Sequence, residues 1–244
     1  MIEIKQKNTD YTGCLVCGDD LITFSKPREM QCAFCGKIVE ATSHCVQMHY
    51  VCDSCSHLSA SEVVKSICLK SHKTDPISLA VEIMRSPAIK MHGEEHHMIV
   101  PSVLLTCINN KYHSIKNLEE KIELAERLAM ERVPVCSYDL KMCGAAIGTG
   151  VFLEIYMGIE PREEDEWSLP NQMIAESLKV IAEQKGPRCC KRDTYISLLS
   201  SIDFLFEKFA IELPKSDARC TFSNRNKSCM REDCNFYNIG NSLV

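Results

Sequence analysis

Residues 32–55 read CAFCGKIVEATSHCVQMHYVCDSC. The pairs Cys32-x2-Cys35, Cys45-x3-His49 and Cys52-x2-Cys55 crowd soft metal ligands into one short stretch, and a fourth pair, Cys14-x2-Cys17, stands upstream. Four pairs make eight ligands, enough for two closed tetrahedral zinc sites. A segment this short, with few large apolar side chains, needs such clips to fold. The N-terminal part is therefore expected to be a small zinc-binding module over residues 1–57, with two zinc ions.

From Cys32 onward the pattern C-x2-C-x9-C-x3-H-x2-C-x2-C resembles the first six ligands of a RING finger, whose sites interleave. The last RING pair is missing downstream, and Cys14 and Cys17 replace it from upstream. That assignment places Cys32, Cys35, Cys52 and Cys55 on one zinc, and Cys14, Cys17, Cys45 and His49 on the other. The alternative is a ribbon of treble-clef type in which Cys14, Cys17, Cys32 and Cys35 share one ion, leaving the later group to bind a second or none. His44 and His57 read as loop histidines. Closed sites leave no open position for a substrate, so the module is a scaffold. Its five basic and seven acidic side chains favour a protein partner over nucleic acid.

The whole chain has 244 residues, 45% hydrophobic and 25% charged, the composition of an ordinary globular protein. It has no apolar run of membrane-spanning length and no secretory leader pattern, which predicts a soluble cytoplasmic protein. In a reducing compartment its 16 cysteines read as metal ligands or redox groups rather than disulfides. The formal charge of −5 argues against a large nucleic-acid footprint.

Beyond the module, SASEVVKSICLKSH predicts a connecting helix within residues 58–75, and Asp75-Pro76 an N-cap and first helical residue. PISLAVEIMR is a helix stopped by Ser86-Pro87. PSVLLTCINN is expected to begin the next one, at Pro101. SIKNLEEKIELAERLAMER carries Ile115, Leu118, Ile122, Ala125 and Leu128 on one face. CGAAIGTGVFLEIYMG, PNQMIAESLKVIAEQ and DTYISLLSSIDFLFEKFAI complete a mainly α, bundle-like domain over residues 76–244. Gly144 and Gly148 share a helical face, which predicts close approach by another backbone or a bound group.

Four clusters interrupt or follow these helices. MHGEEHH offers His92, His96 and His97 for metal or acid–base work; Gly93 occupies the place of the zinc-protease glutamate, which removes that reading. Cys136 and Cys143 precede a helix whose positive end suits a thiolate. GPRCCKR sets Cys189 and Cys190 among Arg188, Lys191 and Arg192. Adjacent cysteines make a strained disulfide, so these sulfurs should serve another purpose. The polar tail adds Cys220, Cys229 and Cys234. Cys68 and Cys107, on apolar helical faces, read as buried small hydrophobes. No GxGxxG or GxxxxGK[ST] loop supports a nucleotide cofactor.

MHGEEHH, VPSVLLT, CGAAIGTGVF, GPRCCKR and the tail cysteines, in this order, resemble an uncharacterised group of cysteine-rich proteins over about residues 30–236. The group, a domain of unknown function, is found mostly in methanogenic archaea and other anaerobes, and the likeness implies an anaerobic setting without an activity. CGAAIGTGVFLEIYMGIEP is similar, over under 20 residues, to the helix of small redox proteins named for a C-GCAxxG-C-C pattern, which implies metal or redox cysteines.

The leading expectation is a metal-dependent redox protein of anaerobic metabolism. Cys136, Cys143, Cys189, Cys190, Cys220, Cys229 and Cys234 converge on an iron–sulfur cluster or another thiolate-bound metal. Four thiolates suffice for a four-iron cluster. Arg188, Lys191 and Arg192 offset charge or hold an anionic partner, and Cys189, Cys190, His92, His96 and His97 form the candidate catalytic set. A redox or enzyme partner protein is expected. Two alternatives stand beside this one: a non-catalytic zinc adaptor, and a thiol enzyme of sulfur or methyl transfer using Cys189 or Cys190 as nucleophile.

Overall fold

The computed structural model describes residues 13–135, 142–159 and 166–238. Its architecture is mainly helical. A two-stranded antiparallel hairpin, β1 (Leu21–Gln31) and β2 (Ile38–Cys45), precedes seven helices among the described residues. Cysteine spacing and helical periodicity do not disclose the strands. β1 is irregular between Thr23 and Arg28, where Pro27 lacks an N–H to offer the ladder and Arg28 sits 4.9 Å over the Phe24 ring.

α1 (Ala60–Lys70) starts at a capping box: the Glu62 N–H donates to Ser59 Oγ, and the Ser59 N–H returns a bond to Glu62 Oε2. α2 (Pro76–Arg85) is capped by Asp75, which accepts from the Ile77 N–H at 3.0 Å. It ends at Ser86, as expected before Pro87. These two helices carry the hairpin module. Ser66 Oγ donates to the Phe34 carbonyl and Ser86 Oγ to the Leu15 carbonyl, both at 2.8 Å, and Phe34 and Val16 join the common apolar core.

α3 (Glu95–Tyr112) is the central element, packed against α1, α2, α4 (Leu118–Arg132), α5 (Gly144–Met157) and α7 (Cys190–Phe209). Every residue from Glu95 to Ile108 is buried, which explains why it shows no polar face. The expectation that this helix begins at Pro101 is corrected: Pro101 lies inside it, and His96 and His97 belong to its first turn rather than to a loop. A proline there removes the N–H that would bond the His97 carbonyl four residues back. That carbonyl faces α5 (Gly144–Met157), where a β-carbon at Gly148 would lie 2.6 Å from it. A β-carbon at Gly144 would lie 2.2 Å from the His97 ring. The two glycines thus let α5 close onto α3, the approach their spacing predicts.

α6 (Ser168–Glu183) packs on α5 and on α7 (Cys190–Phe209). α7 starts at Cys190, three residues before the expected Asp193. Its first turn is buried, so Lys191 and Arg192 are interior groups and not a surface patch. The chain then runs back over the bundle. Tyr112 Oη donates to the Glu212 carbonyl and accepts from the Glu212 N–H. Residues 220–237 close into a loop through the Cys220 N–H bond to the Phe236 carbonyl at 2.7 Å. No helix among the described residues is long and apolar enough to cross a membrane.

Candidate metal centres

In the module, tight turns bring each x2 pair together and the hairpin brings the pairs together. The ligand atoms of Cys14, Cys17, Cys45 and His49 lie within 4.8 Å of one another, as do those of Cys32, Cys35, Cys52 and Cys55. This is the interleaved grouping; the ribbon grouping of Cys14, Cys17, Cys32 and Cys35 is not formed. Cys17 and Cys45 sulfurs stand 3.7 Å apart, as do those of Cys35 and Cys52. Two thiolates at about 2.3 Å from a tetrahedral zinc would be separated by roughly 3.8 Å. His49 presents Nδ1 to the group, 3.5 Å from the Cys45 sulfur. His44 turns away, its Nδ1 on the Cys45 carbonyl at 2.8 Å.

Backbone N–H groups point at these sulfurs: Val16 at Cys14, His49 at Cys45 and Cys52 at Cys32, each at 3.4 Å. For Cys32, burial opposes ionisation, but N–H donors from Cys52, Cys35 and Phe34 outweigh it and bring the thiol down to about 6. Cys55 in the same group is pushed up to about 12 by burial and then by its neighbouring thiols. One thiolate forms easily and the next resists, the condition that a divalent cation relieves.

The second cysteine province converges in part. Cys189, at the N-cap of α7, and Cys220, Cys229 and Cys234, from the tail loop, line one partly open cavity. Arg192 and Tyr195 extend the α7 wall, and Phe222 closes the tail side. Burial first, then the charges of Cys189, Cys229 and Cys234, push Cys220 up to about 11. Phe222 and Arg231 N–H groups reach the sulfurs of Cys220 and Cys229, both at 3.4 Å and both from two residues on. Val16 meets Cys14 in the same way. Asn226 Nδ2 donates to the Cys189 sulfur at 3.6 Å. No three of the four thiols gather within 4.8 Å, unlike the two N-terminal groups. Tyr195 Oη and Ser223 Oγ, on residues lining this cavity, are buried without a hydrogen-bond partner among the described residues. A buried hydroxyl in that condition is costly unless something accepts its proton.

The other expected ligands lie elsewhere. Cys190, the first residue of α7, is buried and does not line the cavity, whereas Cys189, extended at the N-cap before it, does. Cys143, the N-cap of α5, donates to Asp193 Oδ2 at 3.7 Å. Cys136 lies outside the described residues. Cys68 and Cys107 are buried, as expected.

The three histidines do not form one group. His96 Nε2 donates to the Lys90 carbonyl at 3.2 Å, and its Nδ1 lies 2.9 Å from Thr194 Oγ1, which itself donates to the Cys190 carbonyl. Burial, followed by the charge of Lys191, keeps this imidazole neutral well below its ordinary range. His97 Nδ1 donates to the Val133 carbonyl at 2.9 Å. His92 alone reaches toward the cavity, its Nε2 donating to Asn226 Oδ1 at 3.4 Å.

Of the expected cations, Arg192 lines the cavity. Its Nε holds Asp193 at 3.1 Å, and its Nη1 reaches the Lys185 carbonyl and Met230 Sδ at 3.3 and 3.4 Å. Lys191 Nζ donates to the Met84 and Ile89 carbonyls and sits 4.9 Å over the Phe222 ring, and burial lowers it to about 7. Arg188 is half-buried and is not among the residues lining the cavity. Tyr195, Ser223 and Asn226 carried no sequence signal of their own. Only the spacing of Cys189, Arg192 and Tyr195 along one helical face could have placed that tyrosine beside a thiol.

Fold and sites together define a mainly helical, cysteine-rich protein with two groups that could hold metal ions and a third cysteine-lined cavity. Within that class, the chain belongs to a family of unknown function (DUF5714), whose model matches residues 64–237. The matched span holds the helices from within α1 onward and the four-cysteine cavity, and leaves out both N-terminal groups. No curated protein and no solved structure matches the chain.

Proposed function

We propose that the protein is a one-electron carrier of anaerobic metabolism, with structural zinc in both N-terminal groups and a four-iron iron–sulfur cluster held by Cys189, Cys220, Cys229 and Cys234. The observation that carries this reading is the spread of the four thiols around one pocket. A single zinc ion draws four sulfurs to roughly 3.8 Å, whereas a four-iron cluster interposes its own iron and sulfide between them. The orphaned hydroxyls of Tyr195 and Ser223 fit donors to cluster sulfur. Arg192 supplies positive charge beside four thiolates, and Phe222 and Phe236 keep water out. The cluster would supply reversible gain of one electron. The chain's own part is to hold it, set its potential through N–H···S bonds and burial, and exclude oxygen and water. Cys143 and Cys190 are not ligands in this reading.

Metal analysis of anaerobically purified, iron- and sulfide-reconstituted protein tests it. The expected content is about two zinc and about four iron per chain, with visible thiolate-to-iron absorption abolished by Cys220→Ser. About three zinc and no iron would instead support the adaptor, with a third structural zinc tying down the tail.

A further inference from the structure

Residues 185–192 and 219–238 together carry eight basic and two acidic side chains, in a chain with 28 basic and 33 acidic ones overall. Lys191 and Arg192 are consumed inside. Lys185, Arg225, Lys227 and Arg231 are exposed, and none has an ion-pair partner among the described residues. They flank the residues that close the cavity: Lys185 precedes Gly186-Pro187, Arg225 and Lys227 bracket Asn226, and Arg231 follows Met230. The rim is held in shape. Arg192 Nη1 bonds both the Lys185 carbonyl and Met230 Sδ, which fixes the Lys185 and Arg231 segments side by side. Gly186 adopts φ +84°, and a β-carbon there would meet Met230 Sδ at 2.2 Å.

We infer that this cationic rim is the docking face for an acidic electron-carrier protein, which exchanges one electron with the cluster behind Met230. The inference rests on the cluster reading of the previous subsection. Opposite charge brings the carrier to the rim of the cavity that would hold the cluster, while the chain's remaining negative charge repels it elsewhere. A single-stranded nucleic acid would need exposed aromatic rings for stacking, and of the rings here Phe222 and Tyr237 are buried and Phe236 is half-buried. In the step itself the reduced carrier loses one electron and the cluster passes from [4Fe–4S]2+ to [4Fe–4S]1+. No bond breaks and no proton moves.

The test uses the full reconstituted chain and its Lys185→Glu/Lys227→Glu/Arg231→Glu variant, both assayed first for iron and visible absorption. Stopped-flow reduction by a reduced plant-type two-iron ferredoxin, an acidic carrier, is compared with reduction by the methyl viologen cation radical, which needs no protein face. The expected result is a ferredoxin rate at least about tenfold lower in the variant at low salt, with its salt dependence flattened, and no slowing with viologen. Equal ferredoxin rates in two equally loaded proteins would overturn the docking face alone. So would duplex DNA binding that the variant loses while its ferredoxin rate is unchanged. Absence of iron in both proteins overturns the cluster reading, and this inference with it, before any rate is measured.

Discussion

Gly144 lies flat against His97: a β-carbon at position 144 would sit 2.2 to 2.4 Å from three atoms of that ring. The ring cannot retreat, because its Nδ1 is committed to the Val133 carbonyl. Gly144→Ala is therefore expected to destabilise the fold by about 1–3 kcal/mol. Gly148→Ala, facing the His97 carbonyl, should do the same. Urea unfolding monitored by circular dichroism reads both.

The interleaved module predicts independent loss of its metals. Cys14→Ser/Cys17→Ser should release one zinc equivalent and leave Cys32, Cys35, Cys52 and Cys55 loaded. Cobalt substitution checks it: the variant should show only the spectrum of an all-thiolate site, without the mixed sulfur–imidazole component. A ribbon sharing Cys14, Cys17, Cys32 and Cys35 would leave no all-thiolate spectrum.

His96 gives the fold a pH dependence of defined sign. In the folded chain its pKa is depressed by burial and then by Lys191. The unfolded chain binds that proton below about pH 6.5 while the folded chain does not. Stability should consequently be full above that pH and decline as pH falls below it. Histidine NMR should show the His96 imidazole staying neutral as pH falls through the ordinary histidine range. A protonated His96 at pH 6 would contradict this.

Tyr195 tests the cavity from within. If its hydroxyl donates to cluster sulfur, Tyr195→Phe should keep the iron and lower the midpoint potential by on the order of 20–60 mV, one hydrogen bond's worth. An unchanged potential would mean that the hydroxyl points at nothing in the loaded protein.

Much of the module was legible because pairs two residues apart can share an ion only in a few ways. Cys45 and His49 fell where an interleaved pattern needs them. The helical class followed from periodicity in α2, α4 and α6. The start of α3 did not, because Pro101 reads as a first helical residue, and only the partner helix shows where the His97 carbonyl goes. The thiol set was legible to the level of segments: Cys189 and the tail do meet. Cys190 and Cys143 do not join them, since a side chain's direction at a helix start turns on one backbone angle that composition does not encode. The histidine trio misled for a related reason. His96 and His97 leave the α3 axis in different directions, His92 stays in the bend before that helix, and all three find different partners.

Pro101 has an effect beyond its own helix. The carbonyl it sets free and the ring beside it form a raised key, and the paired glycines of α5 are the matching slot. Sliding α5 by even one residue would drive a methyl or larger group into that key, so the two central rods of the bundle are indexed lengthwise. The height of the α5 tip, and of the Cys143 sulfur it carries to Asp193, is set by a missing hydrogen on a neighbouring helix.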